Sequence, residues 1–484
     1  MYLKNEDTIC APATIPGTGA ISIIRISGPE AFSIVDSIVT FKKGSVSEAK
    51  GYTMKFGTIL YEGGKILDEV IACIFRAPHS YTGEHSVELS CHASKYIVSQ
   101  IMLLLLGAGA RMADPGEFTQ RAFLNGKMDL AQAEAVADVI SSQNAASHRI
   151  AFNQMKGGFS DELKKMRSDL LHLVSLMELE LDFSEEDVEF ADRTELNQLL
   201  DAVIAHISRL IDSFRLGNAI KNGVPVAIAG STNAGKSTLL NALLGEERAI
   251  VSDIHGTTRD TIEEVMNVDG ILFRFIDTAG IRETSEIIEK IGIERTFKKI
   301  QEADIILGMI DASTIVEPDD ASTSRGEERV SIEEKLHEIL SAARSDSQKI
   351  FILLNKADRM DSSEIDSLIS RIKAVGEDKD FEILTISART GAGLDLLRTR
   401  LADYQKELIS DTDTTLVTNL RHVEALTAAR ESLSRVRSGL AAGIPTDLAA
   451  QDIREGILSL NDIVGDISTD EILGNIFKNF CVGK

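Results

Sequence analysis

The sequence predicts a multidomain α/β protein: a small N-terminal α/β domain, a helical domain made from two separated stretches, and an α/β module with a parallel sheet inserted between them. Three observations predict it. Residues 1 to about 125 mix short β-type runs with a helical stretch. Apolar residues recur at helical spacing on both flanks of the chain's middle, and between those flanks short, almost continuous apolar runs alternate with helical ones. A length of 484 residues is also more than one core organises.

In residues 1–127 the strand-like runs are "AISIIRISG" (20–28) and "EVIACIFRAP" (69–78), with one helix near 93–107. Residues 128–222 read as the first part of the helical domain. There Leu196, Leu199, Leu200, Val203, Ile204, Ile207, Leu210 and Ile211 form one apolar stripe, and Asp192 with Glu195 makes a capping-box start. The inserted module, residues 223–407, opens at "NGVPVAIAG" (222–230). Its further runs "ILFRFIDTAG" (271–280), "IILGMIDAS" (305–313), "IFILLNKAD" (350–358) and "EILTISA" (382–388) have the character of parallel strands buried on both faces. Helical periodicity returns in residues 408–484 with Val423, Leu426, Leu433, Val436 and Leu440, so the two flanks supply each other's apolar partners. The polar stretches 183–195 and 314–335 read as solvated loops.

Composition narrows the function classes. With 43% hydrophobic and 26% charged residues the chain is an ordinary globular protein. Its longest apolar run, "IMLLLLGAGA" (101–110), falls well short of the roughly 20 residues that cross a bilayer, and "MYLKNEDTIC" lacks the apolar centre of a signal peptide, which points to the cytoplasm and away from membranes. Cys10, Cys73, Cys91 and Cys481 show no metal-binding or disulfide spacing. A formal net charge of −24 repels phosphate backbones, so any nucleic acid must be held by a local basic patch or by a partner.

The chemistry concentrates in the inserted module. "GSTNAGKST" (230–238) follows an apolar strand and precedes the helical run "TLLNALLG". Asn233, Ala234, Gly235, Lys236, Ser237 and Thr238 there present backbone N–H groups, a helix N-terminus and an ammonium group to phosphates, with the Ser237 hydroxyl on Mg²⁺. "DTAG" (Asp277, Thr278, Ala279, Gly280) ends a later strand run and suits the magnesium shell and the γ-phosphate. Between them the segment Ser252, Asp253, Ile254, His255, Gly256, Thr257 and Thr258 contains "GTTRD", with Thr258 a second Mg²⁺ ligand. "NKAD" (Asn355, Lys356, Ala357, Asp358) selects guanine, because the Asp358 carboxylate accepts two guanine N–H groups and adenine has no matching donors. "SAR" (Ser387, Ala388, Arg389) completes a Ras-like P-loop GTPase set. After "DTAG" stands Ile281, where Ras-like enzymes carry the water-orienting glutamine, so hydrolysis needs another device.

These motifs, together with "DTAGIRE", "EKIGIER", "GEFTQRAFLNGKMDLAQAEAVADVI" (116–140) and the terminal "CVGK", resemble the MnmE/TrmE tRNA-modification GTPase family over nearly the whole chain. The resemblance implies a K⁺ ion held by Asn233, Ser252, Ile254 and Thr257 in place of an arginine finger, with Glu289 positioning water and Arg282 ordering the adjoining switch. It implies an N-terminal tetrahydrofolate-binding-like domain that pairs two subunits into a homodimer. Arg25, Glu88, Lys127 and Lys484 would contact a 5-formyl or 5,10-methylene tetrahydrofolate, and Cys481 would stand beside it as a candidate participant. The family commonly carries a glycine-rich "GHGG"-like stretch after the glutamate, where this chain has "CHASK" (91–95). The implied activity is modification of C5 of the wobble uridine, position 34, of certain tRNAs to an aminomethyl or carboxymethylaminomethyl form. An FAD-dependent partner of MnmG/GidA type would join in a heterotetramer or larger assembly. The alternatives from the residues alone are a ribosome-assembly or regulatory GTPase switch, and a folate enzyme that its GTPase module regulates.

Overall fold

The computed structural model describes residues 7–61, 63–182, 193–231, 233–245, 264–268, 271–276, 300–314, 332–343, 348–376, 380–409, 415–465, 470–478, 480 and 483. In chain order the first elements are β1 (Ile9–Pro12), β2 (Ile21–Ser27), α1 (Ala31–Ile38), β3 (Val39–Phe41), β4 (Thr53–Tyr61), β5 (Lys65–Phe75), β6 (Ser86–His92), α2 (Lys95–Gly107), β7 (Arg111–Met112) and α3 (Glu117–Leu124). Helices α4 (Leu130–Ser141), α5 (Ala145–Met155), α6 (Gly158–Asp182), α7 (Arg193–Asp212) and α8 (Phe214–Asn222) follow. Next come β8 (Val224–Gly230), α9 (Lys236–Leu244), β9 (Glu264–Val268), β10 (Ile271–Ile276), β11 (Ile305–Asp311), α10 (Ile332–Ala342), β12 (Lys349–Asn355), α11 (Ser362–Val375), β13 (Glu382–Thr385) and α12 (Leu394–Ile409). The last elements are α13 (Leu420–Ala441), α14 (Thr446–Val464) and α15 (Asp470–Lys478).

The chain divides into two compact units. One gathers Met1–Ser141, Ile150–Ile211 and Arg421–Lys484, and the other Ser142–Arg149 and Asp212–Leu420. In the first, a seven-stranded sheet runs in the order β3-β4-β5-β6-β2-β1-β7. The period of two along β2 sends Ile24 and Ile26 into a core shared with α1 and α2, and leaves Arg25 on the opposite face, in register with Ala11 of β1 and Glu88 of β6. Helix α15 docks on α3 and α4 through Phe123, Leu130, Ala133, Leu473 and Phe477. The approach is close at Gly116, whose φ of +71° is left-handed and whose added Cβ would lie 2.7 Å from the Phe477 carbonyl oxygen.

The second unit holds a six-stranded sheet in the order β13-β12-β11-β8-β10-β9. Apolar clusters cover both of its faces, which is why β8, β11 and β12 read as nearly unbroken apolar runs.

The structure departs from the sequence expectation in three places. Strand β9 pairs antiparallel with β10, Val268 opposite Ile271, because the two intervening residues "DG" suit a hairpin and are far too few for a crossover. The N-terminal region carries two helices beyond the one expected, α1 and α3, each of only eight residues, where β-branched residues or a glycine start mask a helical period. Helix α10 begins at Ile332, inside the stretch read as loop. The capping residue Asp192 lies outside the described residues. No helix among the described residues is long and apolar enough to cross a membrane.

Candidate functional site

The second unit's site grows from the end of its central strand. After β8 the chain must turn sharply to start α9, and it does so through residues with left-handed φ: Asn233 at +70° and Gly235 at +100°, the latter capping α9. The turn leaves the α9 N-terminus and the Lys236 ammonium at the loop. Lys236 Nζ donates back to the carbonyls of Gly230 and Ser231, a folded position from which it can move to phosphate oxygens. Ser237 and Thr238 occupy the first turn of α9.

Asn355 ends β12 and is buried. Its side chain bridges two loops: Nδ2 donates to the Ala234 carbonyl at 2.7 Å, and Oδ1 accepts the Ala388 N–H at 2.9 Å. The phosphate loop and the "SAR" loop are thereby tied through one buried amide. Lys356 follows with φ +64°, and Ala357 N–H donates to the Ile386 carbonyl at 3.2 Å, which seats Asp358 beside Ser387. The Ser387 hydroxyl, donating to the exposed Asp358, holds its carboxyl below the usual range, so an anionic acceptor is ready for a base edge. We expect Asp358→Asn to lower GTP binding by about 100-fold and to favour xanthosine triphosphate, since an amide accepts from one guanine N–H and opposes the other with its own N–H. Hydrolysis assays with the two nucleotides measure the exchange.

Of the sequence-predicted nucleotide residues, the structure thus brings together Asn233, Ala234, Gly235, Lys236, Ser237, Thr238, Asn355, Lys356, Ala357, Asp358, Ser387, Ala388 and Arg389 at one end of the sheet. Ser252, Asp253, Ile254, His255, Gly256, Thr257, Thr258, Asp277, Thr278, Ala279, Gly280, Arg282 and Glu289 lie outside the described residues.

The first unit has a polar site on the open face of its own sheet. Arg25 Nε and Nη2 meet Glu88 Oε1 at 3.0 and 2.8 Å, and Nη1 donates to the Gly483 carbonyl at 3.2 Å. Tyr81 and Phe118 flank the guanidinium, their ring centres 5.2 and 5.6 Å away. Gly483 has φ +96° and leaves room for no side chain, since a Cβ would stand 2.3 Å from the Pro12 carbonyl oxygen. Lys127 is apart from this pair: its ammonium donates to the Pro78 carbonyl at 3.1 Å, on the loop that carries Tyr81. Cys481 and Lys484 lie outside the described residues. Burial pushes the Cys10 and Cys91 thiols up to about 11, so neither is a ready nucleophile.

Sequence reading missed Tyr81, Phe118 and Asp311, the last of which pairs with the Lys356 ammonium. A signal for Asp311 stood in "IILGMIDAS", where a carboxylate closes a strand buried on both faces.

A glycine-rich turn from a central parallel strand into a helix, tied by a buried asparagine to an N-K-x-D segment on a nearby strand, defines a P-loop GTP hydrolase. Residues 8–127 match the family described as "GTP-binding protein TrmE N-terminus", and residues 130–481 match "MnmE helical domain". The chain is 52% identical to the tRNA modification GTPase MnmE of Bacteroides thetaiotaomicron, over 99% of this chain and 100% of that one. It is 48% identical to the protein of the same name from Christiangramia forsetii, over 100% of both chains. The chain belongs to the MnmE/TrmE family of GTPases.

Proposed function

We propose that this GTPase acts in tRNA modification, converting C5 of the wobble uridine at position 34 to an aminomethyl or carboxymethylaminomethyl form together with an FAD-dependent MnmG-type partner. The observation that carries the proposal is its end-to-end likeness to curated tRNA modification GTPases at about half identity. The two sites fit a division of work. The P-loop and Asn355 hold the nucleotide, and the Arg25–Glu88 pair, a cation and a carboxylate side by side, suits the anionic tail and N–H edge of a reduced folate. A folate derivative supplies a one-carbon unit when bound. Arg25 and Glu88, with Lys127 and Lys484, orient it, and Cys481 is a candidate participant.

Mg²⁺ is assigned to Ser237 and Thr258, and K⁺ to Asn233, Ser252, Ile254 and Thr257. Asn233 fits that assignment because its left-handed backbone sets it in the phosphate loop itself. A monovalent cation there offsets charge between the β- and γ-phosphates, the role an arginine finger fills elsewhere. Glu289 orients the attacking water and Arg282 orders the adjacent switch. The chain works in the cytoplasm as a homodimer within a larger complex with its partner. The division of labour follows residues 1–127, 128–222, 223–407 and 408–484. With a net charge of −24, we assign most of the tRNA-binding surface to the partner.

Nucleoside mass analysis of tRNA from cells with and without the gene tests the proposal. Loss of the modified wobble uridine is expected, and an unchanged profile sinks it in favour of a regulatory switch. For the mechanism, GTP turnover is compared in potassium and sodium buffers. Potassium should raise the rate at least about tenfold, and Glu289→Ala should abolish the gain; equal rates throughout remove the potassium–glutamate device.

A further inference from the structure

We propose that Asp311 is a positioning residue for guanine recognition, acting through Lys356. It rests on the assignment of Asn355–Asp358 as the base-reading segment, which Asp358→Asn tests separately.

Asp311 ends β11 directly opposite Asn355 at the end of β12. The two strand ends therefore deliver the carboxylate and the "NKAD" segment to one place. Asp311 is buried, and both its oxygens are engaged: Oδ2 accepts from the Lys356 ammonium, and Oδ1 accepts from the Ser313 N–H at 3.1 Å and the Ser313 hydroxyl at 2.7 Å. Burial works against its ionisation, but the hydrogen bonds from Lys356 and Ser313 prevail and hold the carboxyl below its ordinary value. A free lysine has four rotatable carbon–carbon bonds and loses much rotamer entropy whenever it is used. Here one end is set by a left-handed backbone and the other by a buried carboxylate that is itself fixed by Ser313. The aliphatic stem of Lys356 is held in one course between Asn355 and Asp358. There it offers an apolar face to a purine ring and keeps its charge off the base edge that Asp358 reads.

A purely structural ion pair would leave nucleotide affinity untouched. A stem that packs on the ring face treats guanine and hypoxanthine alike, because the two differ only in the exocyclic amine. Affinities for GTP and inosine triphosphate are measured by displacement of a fluorescent GDP from the full-length protein carrying Asp311→Asn, Lys356→Met or both, with melting temperature and GTP turnover recorded for each. Asp311→Asn is expected to weaken both nucleotides about tenfold, leave their ratio and the kcat within about twofold of wild type, and add nothing to the loss from Lys356→Met. The double variant carries no unpaired charge and provides a folded background if the single variant melts. Additive losses, a changed ratio between the nucleotides, or a lowered melting temperature with unaltered affinity each overturn the proposal. A failure of the Asp358→Asn exchange instead points to the base-reading assignment itself.

Discussion

Replacing Gly235 with alanine is expected to lower GTP and GDP affinity by about 100-fold to 1,000-fold. Two costs combine. The residue holds φ at +100°, which strains any L-side chain by about 1–3 kcal/mol. The added Cβ would also stand 2.4 Å from Asn355 Nδ2, the atom that donates to the Ala234 carbonyl. Asn355 must move, and with it go the hydrogen bonds to both nucleotide loops, about 1–3 kcal/mol more. Gly391 gives the control: its φ is +84° but no atom lies within 4 Å of an added Cβ, so alanine there brings strain alone. Calorimetric titration with GDP measures both variants. If Gly235→Ala binds within threefold of wild type, Asn355 is not the tie between the loops.

The largest stability effect is expected in the helical part of the first unit. Glu134 on α4 is buried, with Oε1 2.9 Å from Arg421 Nε and Oε2 2.8 Å from His422 Nε2. Arg421 also donates to the Asp462 and Ile463 carbonyls near the end of α14, so one carboxylate knots α4, α13 and α14. Burial pushes the Glu134 carboxyl up, but the hydrogen bond from His422 and the charges of His422 and Arg421 outweigh it and bring it from 4.5 down to about 2. A carboxylate depressed on folding stabilises above its unfolded pKa and loses that contribution as pH falls through the folded one. Its share, about 3 kcal/mol for this shift, is complete above about pH 5 and fades between pH 4.5 and 2. Glu134→Ala at pH 7 should cost about 3–5 kcal/mol, because an arginine is left without its partner inside the bundle. Urea unfolding read by amide exchange in α4, α13 and α14 measures it. The gap between wild type and Glu134→Gln should narrow as pH is lowered from 5 to 3 and vanish only near pH 2, and a gap that stays constant with pH contradicts the assignment.

Much of the second unit was legible in the sequence because its strands are buried on both faces and read as unbroken apolar runs, with the glycine-rich loop and the "NKAD" segment at their ends. The "NKAD" segment announces Asn355 by spacing. Spacing does not show that the same side chain fastens the phosphate loop to Ala388, since that contact joins residues far apart in the chain. Asp311 was hidden for the same reason: its partner Lys356 stands 45 residues away. In the first unit the alternation along β2 exposes Arg25 to the side opposite the core, but neither Tyr81 nor Phe118 carries a local pattern that places it against a guanidinium. Glu134 reads as one more polar residue in an alanine-rich helix until α13 and α14 close over it. Strand β9 was not read from the sequence, and it pairs antiparallel with β10 at the edge of a sheet expected to be parallel.

The bond from Arg25 to the Gly483 carbonyl spans 458 residues, and α15 (Asp470–Lys478) packs back on α3 (Glu117–Leu124) from far along the chain. During synthesis the N-terminal sheet emerges early, yet its open side cannot be finished until nearly all of the remaining polypeptide has left the ribosome. The GTPase unit, drawn almost wholly from consecutive residues, can form in that interval. A nascent chain stalled short of α15 would therefore hold a folded GTPase unit and an unfinished N-terminal half, with Leu130, Phe123 and the Arg25 face bared to chaperones and proteases.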